Sequence, residues 1–163
     1  MSPGEASGVW QLADKLEQTR RALERLGGAL ADSARELERD PTGPFDARLA
    51  LGLDRLYTAL EDGLLAILRT VDLAVPEGAD WHQSVLRQSL QTVPDLRPPI
   101  CRPETASSAE KLLAFRHFLR HAYPVALDPT RLLALAADAE ALVAAAIADL
   151  TAFTSFLRQA TAF

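Results

Sequence analysis

Positions Val9, Leu12, Leu16, Thr19, Leu23, Leu26, Leu30, Ser33 and Leu37 step alternately by three and four and are mostly apolar. Steps of that size return to one face of an α-helix, so they predict a single long helix over about residues 8–39 that must bury its stripe against partners. Gly27-Gly28 interrupts it, and each glycine costs about 1 kcal/mol relative to Ala inside a helix. The pair therefore predicts either a bend or the close approach of another backbone. After a turn at Asp40 to Pro44 the same pattern returns in Leu49, Leu53, Leu56, Leu60, Leu64, Ile67 and Val71, predicting a second, antiparallel helix from about Phe45 to Asp72. Pro44 stands near the first-turn position that tolerates proline.

Pro76 and Gly78 punctuate the next loop, and Asp80 with Gln83 three residues on has the form of a capping box opening a shorter helix to about Thr92. Pro94, Pro98, Pro99 and Pro103 then predict a stiff connection. A fourth helix is expected from about Pro103 to Ala122, with Leu112, Phe115 and Leu119 on its apolar face. Pro124 stops it, because proline has no N–H and disfavours helical geometry in the residue before it. Asp128 as cap and Pro129 as first helical residue start a last helix, whose Leu132, Leu135, Ala139, Leu142, Ala146, Leu150, Phe153, Leu157 and Ala160 again fall in heptad order. No segment alternates with strand period and no internal repeat is present. The expected fold is all-α, an antiparallel up-and-down bundle of four or five helices in a single domain spanning residues 1–163.

Composition narrows the class. A chain of 163 residues, 48% of them hydrophobic, buries about 70% of its unfolded surface without a staple. The single Cys101 forms no internal disulfide, and Met1 to Val9 carries neither a basic start nor an apolar run, so the cytoplasm is the expected compartment. Asp138, Glu140 and Asp149 break up the alanine-rich run from Ala141 to Leu150 and its flanks, which falls short of the roughly 20 apolar residues a membrane helix needs. A net charge of −5 argues against general nucleic-acid coating, which rests on phosphate neutralisation. Yet His82 to Arg131 holds seven Lys/Arg against four Asp/Glu, a local +3 that leaves −8 for the remainder, and it holds all three histidines. A local phosphate site is compatible with that distribution. The glycines fit neither a P-loop nor a dinucleotide fingerprint, which excludes nucleotide hydrolysis by those routes. Cys101, in a proline-rich loop without a paired histidine, is a poor nucleophile.

The chemistry is concentrated in Phe115 to Tyr123, where two histidines, two arginines and a tyrosine occupy nine residues just before the helix stop. Arg116-x4-His121-x-Tyr123 resembles the Arg-x4-6-His signature of the HEPN ribonucleases, and the trailing tyrosine resembles the HepT-like toxin branch. Glu61-Asp62, Pro76-Glu77-Gly78, Asp80-Trp81-His82, Arg97-Pro98-Pro99 and Leu127-Asp128 extend the resemblance over roughly residues 45–163. It implies a metal-independent endoribonuclease without a cofactor, the toxin of a toxin–antitoxin pair. Arg116 and His121 are the implied catalytic pair, with His117, Arg120, Glu61 and Asp62 orienting substrate or supporting the site. His suits movement of the ribose 2′-OH proton because it titrates near neutrality, and Arg suits phosphate by forked donation. The family commonly has Asn after the arginine; His117 stands there and keeps a polar group. Partners implied are a second copy forming a two-fold homodimer, an RNA substrate, and a cognate nucleotidyltransferase-type antitoxin that attaches AMP to Tyr123.

A spacing of five places Arg116 and His121 about 140° apart on a straight helix. The pair becomes one site if the helix loosens before Pro124 and two copies meet, which is how the family it resembles builds its site, across a two-fold dimer interface. Read on the residues alone, Arg116 is equally an exposed arginine, His121 a helix-terminal cap favoured by the dipole, Glu61 and Asp62 a solvated face, and Tyr123 an exposed hydroxyl. Trp81 reads as a packing anchor, and the role of His82 stays open. His117 and His121 have the i, i+4 spacing of metal ligands but lack a third ligand nearby, so no metal is expected. The alternative function is a catalytically inactive module of the same fold, an adaptor or regulatory subunit of a nucleotidyltransferase.

Overall fold

The computed structural model describes residues 3–121 and 126–160. Its helices are α1 (Pro3–Arg39), α2 (Phe45–Ile67), α3 (Trp81–Ser89), α4 (Pro103–His121) and α5 (Pro129–Ala160). Among the described residues there is no strand, only an isolated antiparallel bridge between Val93 and Arg97. The fold is therefore all-α, five helices packed against one another. No helix in the described part is long and apolar enough to cross a membrane.

The heptad stripes are the core. Leu12, Leu16, Leu23, Leu30 and Leu37 of α1 are buried, with Thr19 and Ser33 between them. Both hydroxyls donate to carbonyls one turn back, on Lys15 and Ala29, so neither polar group enters the core unpaired. Leu49, Leu53, Leu56, Leu60, Leu64 and Ile67 line α2, and Leu132, Ala139, Leu142, Ala146, Leu150, Phe153 and Leu157 line α5. Leu135 is half-buried and Ala160 exposed, so the α5 stripe frays at both of those positions. α1 packs on α2 and α5, α4 packs on α5 and α2, and the short α3 lies against α4 and α2.

Local departures from the expected elements have identifiable causes. α1 begins at Pro3 rather than near residue 8. It runs unbroken through Gly27-Gly28; a Cβ at Gly27 would lie 3.2 Å from the Val143 side chain of α5. The close neighbour is thus a side chain, and nothing approaches Gly28 within 4 Å. The stretch expected as one helix to Asp72 is α-helical to Ile67 and then forms a π-helical turn, Leu68–Asp72, that ends at Leu73 in the left-handed region (φ 52°). Asp80 lies at the N-terminal end of α3 without a side-chain capping bond, so the capping-box expectation is corrected: only its carbonyl takes part, accepting from the Ser84 N–H. At α5 the Asp128 carboxylate accepts the Thr130 N–H, as a cap does.

Two ion pairs, Arg97–Asp72 buried on both sides and Arg102–Asp149 buried only at the carboxylate, hold the connection between α3 and α4. Arg97 is 3% exposed and donates from Nε and Nη2 to both oxygens of Asp72, at 2.5 and 2.7 Å. Its remaining donors reach the carbonyls of Gln88, Gln91 and Pro98. The π turn thus ends on a carboxylate that pins the proline-rich loop. Asp149, inside the apolar α5, accepts from the Arg102 N–H, the Arg102 guanidinium and the Thr105 hydroxyl. It closes the N-terminus of α4, where unpaired N–H groups favour an anion.

Candidate functional site

α2 carries a second, polar stripe beside its apolar one. Asp54, Thr58 and Glu61 follow one another by four and three residues, so they share a helix face, and that face meets α3 and α4. Asp54 and Thr58 receive Arg116: its Nη1 donates to Asp54 Oδ1 at 2.9 Å and to Thr58 Oγ1. The arginine side chain is only 11% exposed, and its guanidinium carbon lies 5.9 Å from the centroid of the Tyr57 ring. The exposed-arginine reading is therefore corrected. Arg116 is drawn onto α2 by a carboxylate and a hydroxyl that the sequence did not single out.

Glu61 is not solvated either. It is 4% exposed, and its Oε1 accepts the Tyr57 hydroxyl at 2.8 Å and lies 2.5 Å from His82 Nδ1. A carboxylate only accepts, so the Nδ1 hydrogen of His82 points at it. Burial first, and the adjacent Glu61 charge second, push the Tyr57 hydroxyl well above the usual phenol range, so it remains a donor. The Glu61 carboxylate thus orients a histidine, His82, and not Arg116. Asp62, one residue on, faces away and is exposed.

The histidines form a row. His82 stacks on Trp81 with ring centroids 3.7 Å apart, and Trp81 is half-buried against the core as a packing anchor. His117 lies edge-on to His82 at 6.0 Å, and His121 follows His117 at 6.5 Å. His117, Arg120 and His121 are exposed. His121 Nδ1 is 2.8 Å from the His117 carbonyl. Since a carbonyl only accepts, Nδ1 carries the hydrogen, and in the neutral ring Nε2 holds the lone pair.

α4 remains α-helical through His121 and does not loosen before it. Arg116 consequently faces α2 while His121 faces outward, the separation expected of an i, i+5 pair on a straight helix. Tyr123 and Pro124 lie outside the described residues. Among the described residues no group of three or more His, Cys, Asp or Glu side chains is placed to hold a metal ion.

Residues 48–157, about two thirds of the chain, match a family model described as HepT-like protein. No curated protein and no solved structure matches the chain.

Proposed function

The chain belongs to the HepT-like protein family of the HEPN superfamily, and from that premise we propose that it is a metal-independent endoribonuclease toxin. The observation that carries the reading is the Arg116-x4-His121-x-Tyr123 motif inside the matched span, at the end of α4 beside a polar cluster on α2. His121 takes the 2′-OH proton through its Nε2, Arg116 stabilises negative charge on the phosphorane, and His117 replaces the usual Asn as a ligand of the phosphate. Arg120, exposed on the same helix as His117 and His121, borders this surface. The inward Arg116 and outward His121 of one chain support a site completed by a second copy across a two-fold axis. Tyr123 is the position at which a nucleotidyltransferase-type antitoxin attaches AMP, adding negative charge and bulk close in sequence to Arg116 and Arg120.

The test is cleavage of RNA by the isolated protein, with products ending in 2′,3′-cyclic phosphate. Arg116→Ala and His121→Ala each lower the rate by about 10²-fold or more. Light scattering gives about twice the 17.7 kDa chain mass. Co-expression with the antitoxin adds AMP that maps to Tyr123 and stops cleavage. A monomer, or full activity in His121→Ala, refutes this reading. One observation favours the second reading, an inactive adaptor: Arg116 is sheltered and already paired with Asp54. That reading requires an intact dimer that binds the nucleotidyltransferase and leaves RNA uncut.

A further inference from the structure

Resting on the ribonuclease reading above, the geometry points to His82, held by the buried carboxylate of Glu61, as a second catalytic residue: the general acid that protonates the leaving 5′-oxygen. In the reaction the 2′-oxygen attacks phosphorus, a P–O2′ bond forms and the P–O5′ bond breaks. One proton leaves the 2′-hydroxyl and one must reach the departing 5′-oxygen. Attacking and leaving oxygens lie roughly in line through phosphorus, so two proton carriers on opposite sides serve the step better than one.

The two histidines at the ends of the row have the environments those two roles need, and unlike environments are how a site separates its acid from its base. His121 has Nδ1 tied to the His117 carbonyl at 2.8 Å, which leaves Nε2 as a proton acceptor. His82 has Nδ1 against the Glu61 carboxylate at 2.5 Å, and a carboxylate there orients the ring and balances the charge of an imidazolium. The Tyr57 hydroxyl donates to the same Glu61 oxygen at 2.8 Å and keeps that carboxylate in place. Trp81 stacked on His82 fixes the ring plane. The His82 side chain is 17% exposed, so the pair is sheltered without being sealed. His117 stands between the two, 6.0 Å from one ring and 6.5 Å from the other, where a ligand of the non-bridging phosphate oxygens belongs. Protons balance: His121 accepts one, His82 gives one, and the step needs no further reactant.

The experiment compares two RNA oligonucleotides with one scissile linkage each, one natural and one with sulfur in place of the bridging 5′-oxygen. A thiolate departs without being protonated, so the sulfur substrate does not need the acid. The full-length protein and its His82→Asn, His82→Gln, Glu61→Gln and His121→Ala variants are assayed on both, and thermal melts identify which variants are folded. His82→Asn and His82→Gln, two polar replacements at a half-buried helix start, keep the test readable if one of them misfolds. The expected result is a loss of about 10²- to 10⁴-fold on the natural substrate and less than about tenfold on the sulfur substrate. Glu61→Gln shows the same selectivity with smaller amplitude, whereas His121→Ala loses activity on both. Equal losses on both substrates in the His82 variants, or no loss on either, overturn the inference and leave the ribonuclease reading standing. If the unmodified protein cuts neither substrate, or His121→Ala equals it, that reading fails and the inference fails with it.

Discussion

Replacing Arg116 and His121 by alanine separates what each residue does for the fold from what it does for chemistry. Arg116 donates to Asp54 at 2.9 Å and to Thr58, and lies 5.9 Å from the Tyr57 centroid with its side chain 11% exposed. A hydrogen bond to a charged group contributes about 1.5–3 kcal/mol, and the ring contact about 0.5–1 kcal/mol. Asp54, 29% exposed, is rehydrated once its partner is gone, so the loss stays below the roughly 3–5 kcal/mol seen when a fully buried pair is broken. The expected cost of Arg116→Ala is about 2 kcal/mol, a fall in Tm of roughly 4–8 °C for a chain of this length. His121 is exposed and bonded only to its own helix, so His121→Ala stays within about 0.5 kcal/mol, roughly 2 °C at most. The assay is thermal unfolding by far-UV circular dichroism at one fixed protein concentration, since dissociation of a dimer would otherwise move Tm. Equal Tm values for the two variants would refute the placement of Arg116 on α2, whatever the activity measurements gave.

Arg97→Ala removes one partner of a fully buried pair and leaves Asp72 uncompensated; urea unfolding is expected to show a loss of about 3–5 kcal/mol. A Cβ at Gly63 would lie 2.8 Å from Thr19 Cγ2, whereas one at Gly28 meets nothing within 4 Å. Gly63→Ala therefore lowers stability by about 1–2 kcal/mol through overpacking, and Gly28→Ala raises it by up to about 1 kcal/mol through helix propensity. Burial pushes the Cys101 thiol up to about 12, so a thiol reagent at pH 8 labels it only on unfolding, and the labelling rate in urea tracks the loss of helix. The raised value also sets a sign: the folded state keeps a proton that the unfolded state loses first, so the Cys101 contribution declines as pH climbs from about 9 to about 12. Alkaline titration of Tm checks this, and Tyr57, shifted the same way, adds to it.

The helices were legible because burial is periodic. Leucines at steps of three and four mark α1, α2 and α5 without any knowledge of what they face, and the prolines mark the breaks between elements. What escaped the sequence depends on contacts between distant segments. Asp72 and Arg97 are 25 residues apart and Asp149 and Thr105 are 44 apart, so a buried carboxylate in α5 reads as an interruption of an apolar run until α4 is seen to begin on it. The π turn has no glycine or proline to announce it. Asp54 and Thr58 do not stand out in the sequence because polar residues in a helix middle are usually solvated. A signal was nonetheless present: Asp54, Thr58 and Glu61 share one face beside the leucine stripe, and a polar stripe next to a buried one predicts partners on a neighbouring helix.

The spacing of the motif and the cluster on α2 explain each other. Five residues rotate His121 about 140° from Arg116, so a straight α4 cannot turn both toward solvent while also burying Leu112 and Phe115. The arginine goes inward, and α2 must then supply an anion to receive it, which Asp54 does. On the proposed ribonuclease reading Arg116 serves a phosphate without abandoning its place, because a guanidinium carries five donors in a rigid fork and both bonds described for it use Nη1. Its other neighbours are set by the same face of α2: Tyr57 beneath it holds Glu61, Glu61 holds His82, and His82 meets His117, the residue after Arg116 on α4. One polar stripe on one helix therefore positions both an anchored cation and a row of imidazoles, and its removal would disorder the two together.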